Sequence, residues 1–186
     1  MRVIVGISGA SGSVYGLRLI EKLRERPETE IHLILSRAGE KTLYMETGKR
    51  AADLKAFAHH WHPIDNVGAS LASGSYLTDA MVIAPCSIHT MSAIAAGITD
   101  NLMTRAADVI LKERRKLILM VRETPLHLGH LRSMATLAEI GAVIAPPMPA
   151  FYHMPKSVPD LVDQSVDRVL DLLGLPDPQM RRWEGP

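Results

Sequence analysis

The sequence lacks the features of a secreted or membrane protein. Cys86 is its one cysteine, so no intramolecular disulfide can form, and we expect a reducing compartment such as the cytoplasm. No run approaches the roughly 18 uninterrupted apolar residues of a membrane span, and the N-terminal apolar run reaches glycines too soon for a signal sequence. We therefore expect a soluble, unprocessed chain with no membrane partner.

An excess of charge of either sign is also missing. The chain has 21 basic and 20 acidic residues, which gives a formal net charge of +1. This balance gives no global field that would favour nucleic acid as a partner, so any anion site must be local. The 186 residues, of which 47% are hydrophobic, suffice for one domain with a sizeable core.

Five short apolar runs, each bounded by turn residues, predict buried strands. They are rich in Val, Ile and Leu without alternation, as expected for parallel strands covered on both faces. Helical patterns lie between them. The sequence therefore predicts a single-domain α/β fold with a doubly wound (Rossmann- or flavodoxin-like), mostly parallel sheet and helices on both faces. The predicted strands are RVIVGI, IHLILS, AMVIAP, KLILMV and AVIAPP.

The domain is predicted to cover residues 1–174, and residues 175–186 to form a tail packed on a neighbouring subunit. The last helical pattern ends at Gly174, and the tail has too few apolar residues for a core of its own. Segments 66–79 and 146–155 are rich in turn formers and predict long loops, which are often functional.

The glycine turn GISGASGSVYG, residues 6–16, follows the first predicted strand and enters a helix. Backbone N–H groups at such a turn can bind an anion. The G-x-x-G-x-x-G spacing differs from the dinucleotide pattern, and the second strand ends in Ser36 and Arg37 without a carboxylate for a ribose hydroxyl. This disfavours NAD and favours a single phosphate, such as that of flavin mononucleotide (FMN). The alternative is a structural turn in which Ser11 or Ser13 caps the helix.

A second polar segment, residues 86–90, follows the third predicted strand at the same edge of the sheet. Ser87 can cap the next helix, whose free N–H groups point into the same crevice, so a cap alone and a cap that also contacts ligand both remain open. Cys86 is predicted to be a small buried hydrophobe, since no histidine and carboxylate pattern accompanies it.

The clearest local sign of chemistry is the pair Arg122 and Glu123, which ends the fourth predicted strand. Charges there are costly to bury unless they are paired or face a polar ligand. Arg122 offers a planar fork for phosphate or a flavin carbonyl, and Glu123 can transfer a proton. A mutual salt bridge at the mouth of a loop is the alternative.

Two histidine groups are candidate metal ligands: residues 59, 60 and 62, and residues 127 and 130. Neither group has carboxylates or thiols at the spacing of a typical metal site. We therefore expect surface or helix-end histidines and no metal.

Taken in order, these motifs resemble those of the flavin prenyltransferase (UbiX-like) family. The match runs nearly end to end through GISGASG, SGS, PCS, TRAADVxLKERR, VRETPLHLGHL, EIGAV and PAFYH to the terminal RW. The resemblance implies metal-independent transfer of a dimethylallyl group from dimethylallyl monophosphate to N5 and C6 of reduced FMN, by a homo-oligomer, a dodecamer. Prenylated FMN would then serve a UbiD-type decarboxylase, and some members carry older names as decarboxylase subunits.

The resemblance also implies roles for the residues whose motifs align. Glu123 would pass a proton to the departing phosphate, and Glu46 would enter from a neighbouring subunit. The implied catalytic set is Glu123, Glu46, Ser11 and Lys112, and the prenyl phosphate would meet Lys112, Tyr152 and Arg168. FMN would be held by Gly9, Ala10, Ser11, Ser36, Ser87, Ile88, His89, Thr90 and Arg122.

Two other functions remain open on sequence grounds. A non-catalytic FMN-binding accessory subunit of an aromatic acid decarboxylase would need the FMN residues but no acid to release phosphate. A flavin-dependent peptidyl-cysteine decarboxylase of the same superfold would lack the implied phosphate-handling set, which is present. The chain departs from the family's pattern at ASLA, residues 69–72, and at His89, both within the expected pocket.

Overall fold

Runs of Val, Ile and Leu form a parallel sheet in the computed structural model, which describes residues 1–178, 180, 182, 183 and 185. The strands in this part of the chain are β1 (Arg2–Ile7), β2 (Glu30–Leu35), β3 (His60–His62), β4 (Ala80–Cys86), β5 (Lys116–Val121) and β6 (Val143–Ile144). Their spatial order is β3-β2-β1-β4-β5-β6, and each pairing is parallel. The predicted doubly wound α/β fold is confirmed.

Helices cover both faces of the sheet, and the apolar strand residues divide into one buried cluster beneath each layer. The first layer contains α1 (Ser13–Arg24), α2 (Arg37–Thr47), α3 (Ala51–Phe57) and α7 (Val158–Leu173). The second contains α4 (Ile88–Ala95), α5 (Leu102–Lys112) and α6 (Leu128–Glu139). Within the described residues, no helix has both the length and the apolar content needed to cross a membrane.

One α-helix, α3, and one strand, β3, were not predicted from the sequence, and a short 3-10 helix, Ser70–Ala72, lies within a segment predicted as a loop. β3 is only three residues long and carries polar side chains, so it has no apolar strand signal. It forms because its backbone pairs with residues 32–34 of β2 at the edge of the sheet. The predicted strand AVIAPP shrinks to the two residues of β6, since Pro146 and Pro147 cannot donate ladder hydrogen bonds.

The histidines at positions 59, 60 and 62 differ from the sequence expectation in one respect. His59 and His60 are exposed, as expected for surface residues. His60 and His62 nevertheless belong to strand β3 and not to a helix end, and both rings stack on buried His32 of β2.

The carboxyl ends of the parallel strands share one edge of the sheet, called here the carboxyl edge. β1 continues there into the glycine turn, β2 into Ser36, and β5 into Arg122. Glycines let helices approach this edge closely: a Cβ atom on Gly16 of α1 would lie 2.2 Å from a backbone oxygen of β4. One on Gly39 of α2 would lie 2.5 Å from a backbone oxygen of β1. The polar segments after the strands are thereby brought to one place.

Candidate active site

A cavity of about 490 Å³ opens at the carboxyl edge, between the segments that follow β1, β2 and β4. We call it the rim cavity. Five residues expected to hold FMN line it: Gly9, Ser36, Ser87, His89 and Thr90. Its other lining residues were not among those expected to hold FMN: Arg37, Ala38, Ile64, Asp65, Asn101 and Met103.

Two serines at the rim cavity cap helices. Ser36 Oγ accepts a hydrogen bond from the Gly39 N–H at 2.9 Å and begins α2. Ser87 Oγ accepts one from the Thr90 N–H at 3.3 Å and begins α4. Each cap leaves the first two N–H groups of its helix without an acceptor among the described residues. Both serines therefore act as caps, and each sits beside free donors.

The glycine turn adds further donors. The N–H groups of Gly9, Ala10 and Ser11 have no acceptor within the described part of the chain. A Cβ atom on Gly9 would lie 2.5 Å from the Ala38 Cβ, so glycine is required for the turn to pack this closely on α2. Free N–H groups from three segments, with apolar Met103 on the cavity wall, suit a ligand that joins a phosphate to a flat apolar ring. The residues present fit FMN.

Ser8 fixes the spacing of these segments, and sequence analysis missed it. Its buried hydroxyl donates to the Pro85 carbonyl oxygen at 2.8 Å and accepts from the Ser87 N–H at 2.7 Å. The end of β1 is thereby joined to the start of α4. Nothing in the sequence distinguishes Ser8 from the neighbouring serines of the turn, because its role depends on a partner 77 residues away.

Glu46 occupies the start of α1 in its own chain. Its carboxylate accepts hydrogen bonds from the Gly12 N–H at 3.0 and 3.1 Å and from the Ser13 N–H at 2.9 Å. It replaces a side-chain cap, which Gly12 at φ 103° cannot provide. Burial acts to raise the pKa of Glu46, but hydrogen bonds from Ser11, Ser13 and Gly12 outweigh it and hold the pKa below its usual range.

The family resemblance implied that Glu46 enters the active site of a neighbouring subunit, whereas here its carboxylate binds within its own chain. In this chain α2 packs beside α1 and carries Glu46 to the glycine turn of the same subunit. The structure does bring together Ser11 and Glu46, two members of the implied catalytic set.

Arg122 and Glu123 lie exposed at the carboxyl edge. Burial raises the pKa of Tyr15, and the nearby positive charge of Arg122 opposes part of that rise. The Tyr15 ring also borders Gly12, which locates Arg122 beside the glycine turn. Glu123 Oε1 accepts a hydrogen bond from the Thr124 N–H at 2.9 Å. Among the described residues it forms no salt bridge with Arg122, so the alternative of a mutual ion pair is wrong.

Lys112 lies away from the rim cavity. α5 begins at the carboxyl edge, and it ends at Lys112 shortly before β5 starts at the opposite, amino edge. There Lys112 forms an ion pair with Glu113 and lines a second cavity of about 480 Å³ beside Arg114 and Arg115. The implied phosphate-binding set is therefore not assembled within one chain.

Tyr152 and Arg168 are linked through the C-terminal tail. Arg168 donates to the Asp171 carboxylate at 2.8 Å, and Arg182 of the tail donates to both oxygens of the same carboxylate at 2.9 and 2.7 Å. The neighbouring Trp183 ring packs edge-on against Tyr152, with ring centroids 6.0 Å apart. These contacts lie within one chain, and packing of the tail on a neighbouring subunit stays a prediction.

Comparison with known proteins decides the family. The Flavoprotein family model matches residues 1–170. Over 186 residues the chain is 54% identical to flavin prenyltransferase UbiX of Escherichia coli (strain K12), covering 99% of this chain and 98% of the relative. The chain belongs to the UbiX-like flavin prenyltransferase family. The predicted family and the prediction of a prenyltransferase enzyme are confirmed, which excludes a non-catalytic accessory subunit.

Solved structures agree with this assignment. A dodecameric FMN-dependent UbiX-like decarboxylase from Escherichia coli O157:H7 has a TM-score of 0.98 at 46% identity, over 100% of both chains. AnUbiX (PadA1), in complex with FMN and dimethylallyl pyrophosphate, has a TM-score of 0.96 at 44% identity, over 99% of this chain and 97% of that one. The fold of this prenyltransferase thus matches those of proteins described as binding a flavin.

Proposed function

We propose that this prenyltransferase moves a dimethylallyl group from dimethylallyl monophosphate to reduced FMN held in the rim cavity. The observation that carries the proposal is the set of free N–H groups at Gly9, Ala10 and Ser11, next to the capping serines Ser36 and Ser87. The complex of AnUbiX with FMN and dimethylallyl pyrophosphate supports FMN and a phosphorylated dimethylallyl compound as the two ligands. When bound, reduced FMN supplies the electron-rich ring atoms that accept the prenyl group.

The chain's own residues would stabilise the departing phosphate. Phosphate is a poor leaving group, so fixed cations and a proton donor must match the charge that develops on it. Glu123 would carry the proton, Arg122 would hold FMN, and Lys112 and Arg168 would meet the phosphate. Each charge-assisted hydrogen bond contributes about 1.5–3 kcal/mol, so a few of them that strengthen in the transition state account for several powers of ten in rate.

The complete site, in this proposal, lies between subunits. Lys112 is at the amino edge of its chain and Glu123 at the carboxyl edge, so a site that contains both needs two chains. The dodecameric relative supports such an assembly. Large apolar side chains are exposed around the carboxyl edge, as expected of surfaces covered in an oligomer. They are Tyr44, Met45, Leu128, Phe151 and Met154.

The first experiment measures the mass of the flavin. Protein incubated with reduced FMN and dimethylallyl monophosphate is expected to yield a flavin heavier by one five-carbon unit. Glu123→Gln should keep FMN bound and lose about two powers of ten in turnover. Glu25→Gln, an exposed carboxylate at the end of α1, is the control and should behave as wild type. Unchanged flavin mass with folded, FMN-loaded protein rejects the proposal.

The second experiment tests whether subunits share a site. Lys112→Met and Glu123→Gln chains, each expected to have little activity alone, are co-expressed so that they form mixed oligomers. If each site takes Lys112 from one chain and Glu123 from another, about a quarter of the sites regain both residues. No recovery in mixed oligomers would mean that one chain supplies both residues.

Further predictions concern the use of the product, the cellular compartment and the need for a metal. We propose that prenylated FMN passes to a UbiD-type decarboxylase in the cytoplasm and that the transfer needs no metal. Flavin released from the reaction should restore decarboxylation by a cofactor-free UbiD-type enzyme, whereas unreacted FMN should not. Chelator-treated transferase should keep its activity.

A further inference from the structure

Away from the rim cavity, histidines and a carboxylate meet where β2 pairs with the edge strand β3. The parallel register sets His32 of β2 opposite His60 of β3. Glu30 precedes His32 by two residues, so both side chains project from the same face of the sheet. Glu30 Oε1 lies 3.2 Å from His32 Nε2 and 3.1 Å from His60 Nε2. One ligand atom from each of the three residues lies within 4.8 Å of the other two.

The two separations from Glu30 match those between zinc ligands. In a tetrahedral zinc site with bonds of about 2.0–2.1 Å, neighbouring ligand atoms are about 3.3 Å apart. The two measured separations from Glu30 Oε1 are close to this value. We propose that Glu30, His32 and His60 bind a zinc ion, with water as the fourth ligand, once the exposed His60 ring turns out of its stack on His32 so that both Nε2 lone pairs face the ion.

Neighbouring side chains orient two of the three ligands. His32 Nδ1 lies 3.0 Å from His62 Nε2, so a proton on Nδ1 can be donated to His62 while His32 Nε2 keeps its lone pair for the metal. Arg2 Nε donates to Glu30 Oε2 at 2.8 Å and leaves Oε1 available. Partners of this kind fix the tautomer and direction of metal ligands.

The burial and exposure of the three side chains also suit metal binding. His32 is buried, which holds its ring in a fixed position within the sheet. Glu30 and His60 are partly exposed and give the ion a path from solvent. Tyr76, whose hydroxyl lies 3.4 Å from His32 Nε2, is close enough to bond to the zinc-bound water. The positive charge of Arg2 offsets the negative charge of Glu30, which limits the affinity of the site for zinc.

The site would have a structural role that is separate from prenyl transfer. His32 precedes Ser36 of the rim cavity by four residues, or about 13 Å along a strand. A zinc ion here would join β2 to β3, an edge strand of three residues. It would thereby stabilise one edge of the sheet without contacting the reacting groups.

The test uses full-length protein without a polyhistidine tag, stripped of metal by a chelator and titrated with Zn²⁺ by calorimetry. We expect one ion per chain with a dissociation constant on the order of 10 µM or tighter. His60→Gln and Glu30→Gln should each weaken binding about tenfold or more. His59→Gln is the matched control: His59 contacts Arg24 and the Ile31 N–H, not Glu30, and its loss should leave the affinity unchanged.

Thermal unfolding gives a second readout, because an ion that binds only the folded chain raises Tm. Zn²⁺ should raise Tm for wild type and His59→Gln but not for His60→Gln or Glu30→Gln. No saturable binding, or equal affinity in wild type and His60→Gln, overturns the proposal and leaves a hydrogen-bonded histidine cluster. An equal loss in His59→Gln and His60→Gln also overturns it. Loss of transferase activity on zinc removal would contradict the structural role.

Discussion

Lys22 of α1 and Asp167 of α7 form an ion pair in which both side chains are buried. Asp177 lies 3.5 Å from the same ammonium group. The pair joins the helix that follows the glycine turn to the helix that carries Arg168.

Breaking this pair should destabilise the protein strongly. Lys22→Met leaves the Asp167 carboxylate buried without its main partner, and we expect the free energy of unfolding to fall by about 3–5 kcal/mol. The double variant Lys22→Met, Asp167→Leu should recover most of that loss, because the unpaired charge is removed. Urea unfolding of the three proteins measures both effects.

The control lies in the same helix interface. Arg18 pairs with Asp163 at 2.6 Å, but both side chains are about one-third exposed. Solvent screens this pair, so Arg18→Met should cost about 1 kcal/mol or less. Equal losses for Arg18→Met and Lys22→Met would contradict the importance of burial.

Glu46 should stabilise the start of α1 in a pH-dependent way. Replacing its carboxylate in Glu46→Gln weakens the hydrogen bonds to the Gly12 and Ser13 N–H groups, at a cost of about 1 kcal/mol in stability at about pH 7. The folded pKa of Glu46 lies below the unfolded value of 4.5. Its contribution is thus present above that pH and disappears as the pH falls through the folded pKa. Denaturant unfolding should therefore find wild type and variant converging as the pH falls below the folded pKa of Glu46, which lies under 4.5. A difference that grows in acid would contradict this assignment.

Part of the candidate site could be predicted from the sequence, because one rule places the residues that follow the strands. Parallel strands end at a common edge, so the segments after β1, β2, β4 and β5 had to meet, whatever the details of packing. Hydrophobic runs locate the strand ends well, and the strand ends are sufficient to place Ser36, Ser87 and Arg122 at the carboxyl edge. The hydrogen bonds of Ser8 and the position of Glu46 depend on tertiary contacts and could not be read in this way.

The remaining residues illustrate two limits of prediction from the sequence. The resemblance assigned Lys112 to the phosphate without saying which chain supplies it. The 11 residues of α5 carry Lys112 to the opposite edge of the sheet. The grouping of Glu30, His32 and His60 depends on the register of a strand too short and polar to be detected. The carboxylate missing beside the histidines in sequence is supplied by the neighbouring strand.

Gly9 should be sensitive to the smallest substitution. An alanine Cβ would lie 2.5 Å from the Ala38 Cβ, so the turn or α2 must move and the free N–H groups shift with it. We expect Gly9→Ala to lose about 1–3 kcal/mol of stability and to bind FMN at least tenfold more weakly. Gly68→Ala is the control, because its new Cβ would have no atom nearer than 3.7 Å. Fluorescence titration with FMN compares the two variants, and equal affinities would argue against the glycine turn as the flavin site.

Cys86 should be chemically inert in the folded protein. Its side chain is fully buried, and burial raises the pKa of the thiol from 9.0 to about 12, so almost no thiolate exists at about pH 8. Iodoacetamide should leave the native protein unmodified and label one thiol per chain in urea. Cys86→Ala should retain wild-type turnover while losing about 1 kcal/mol of stability through the small cavity it creates. Rapid labelling of the native protein, or loss of turnover in a well-folded Cys86→Ala variant, would instead give the thiol a part in the reaction.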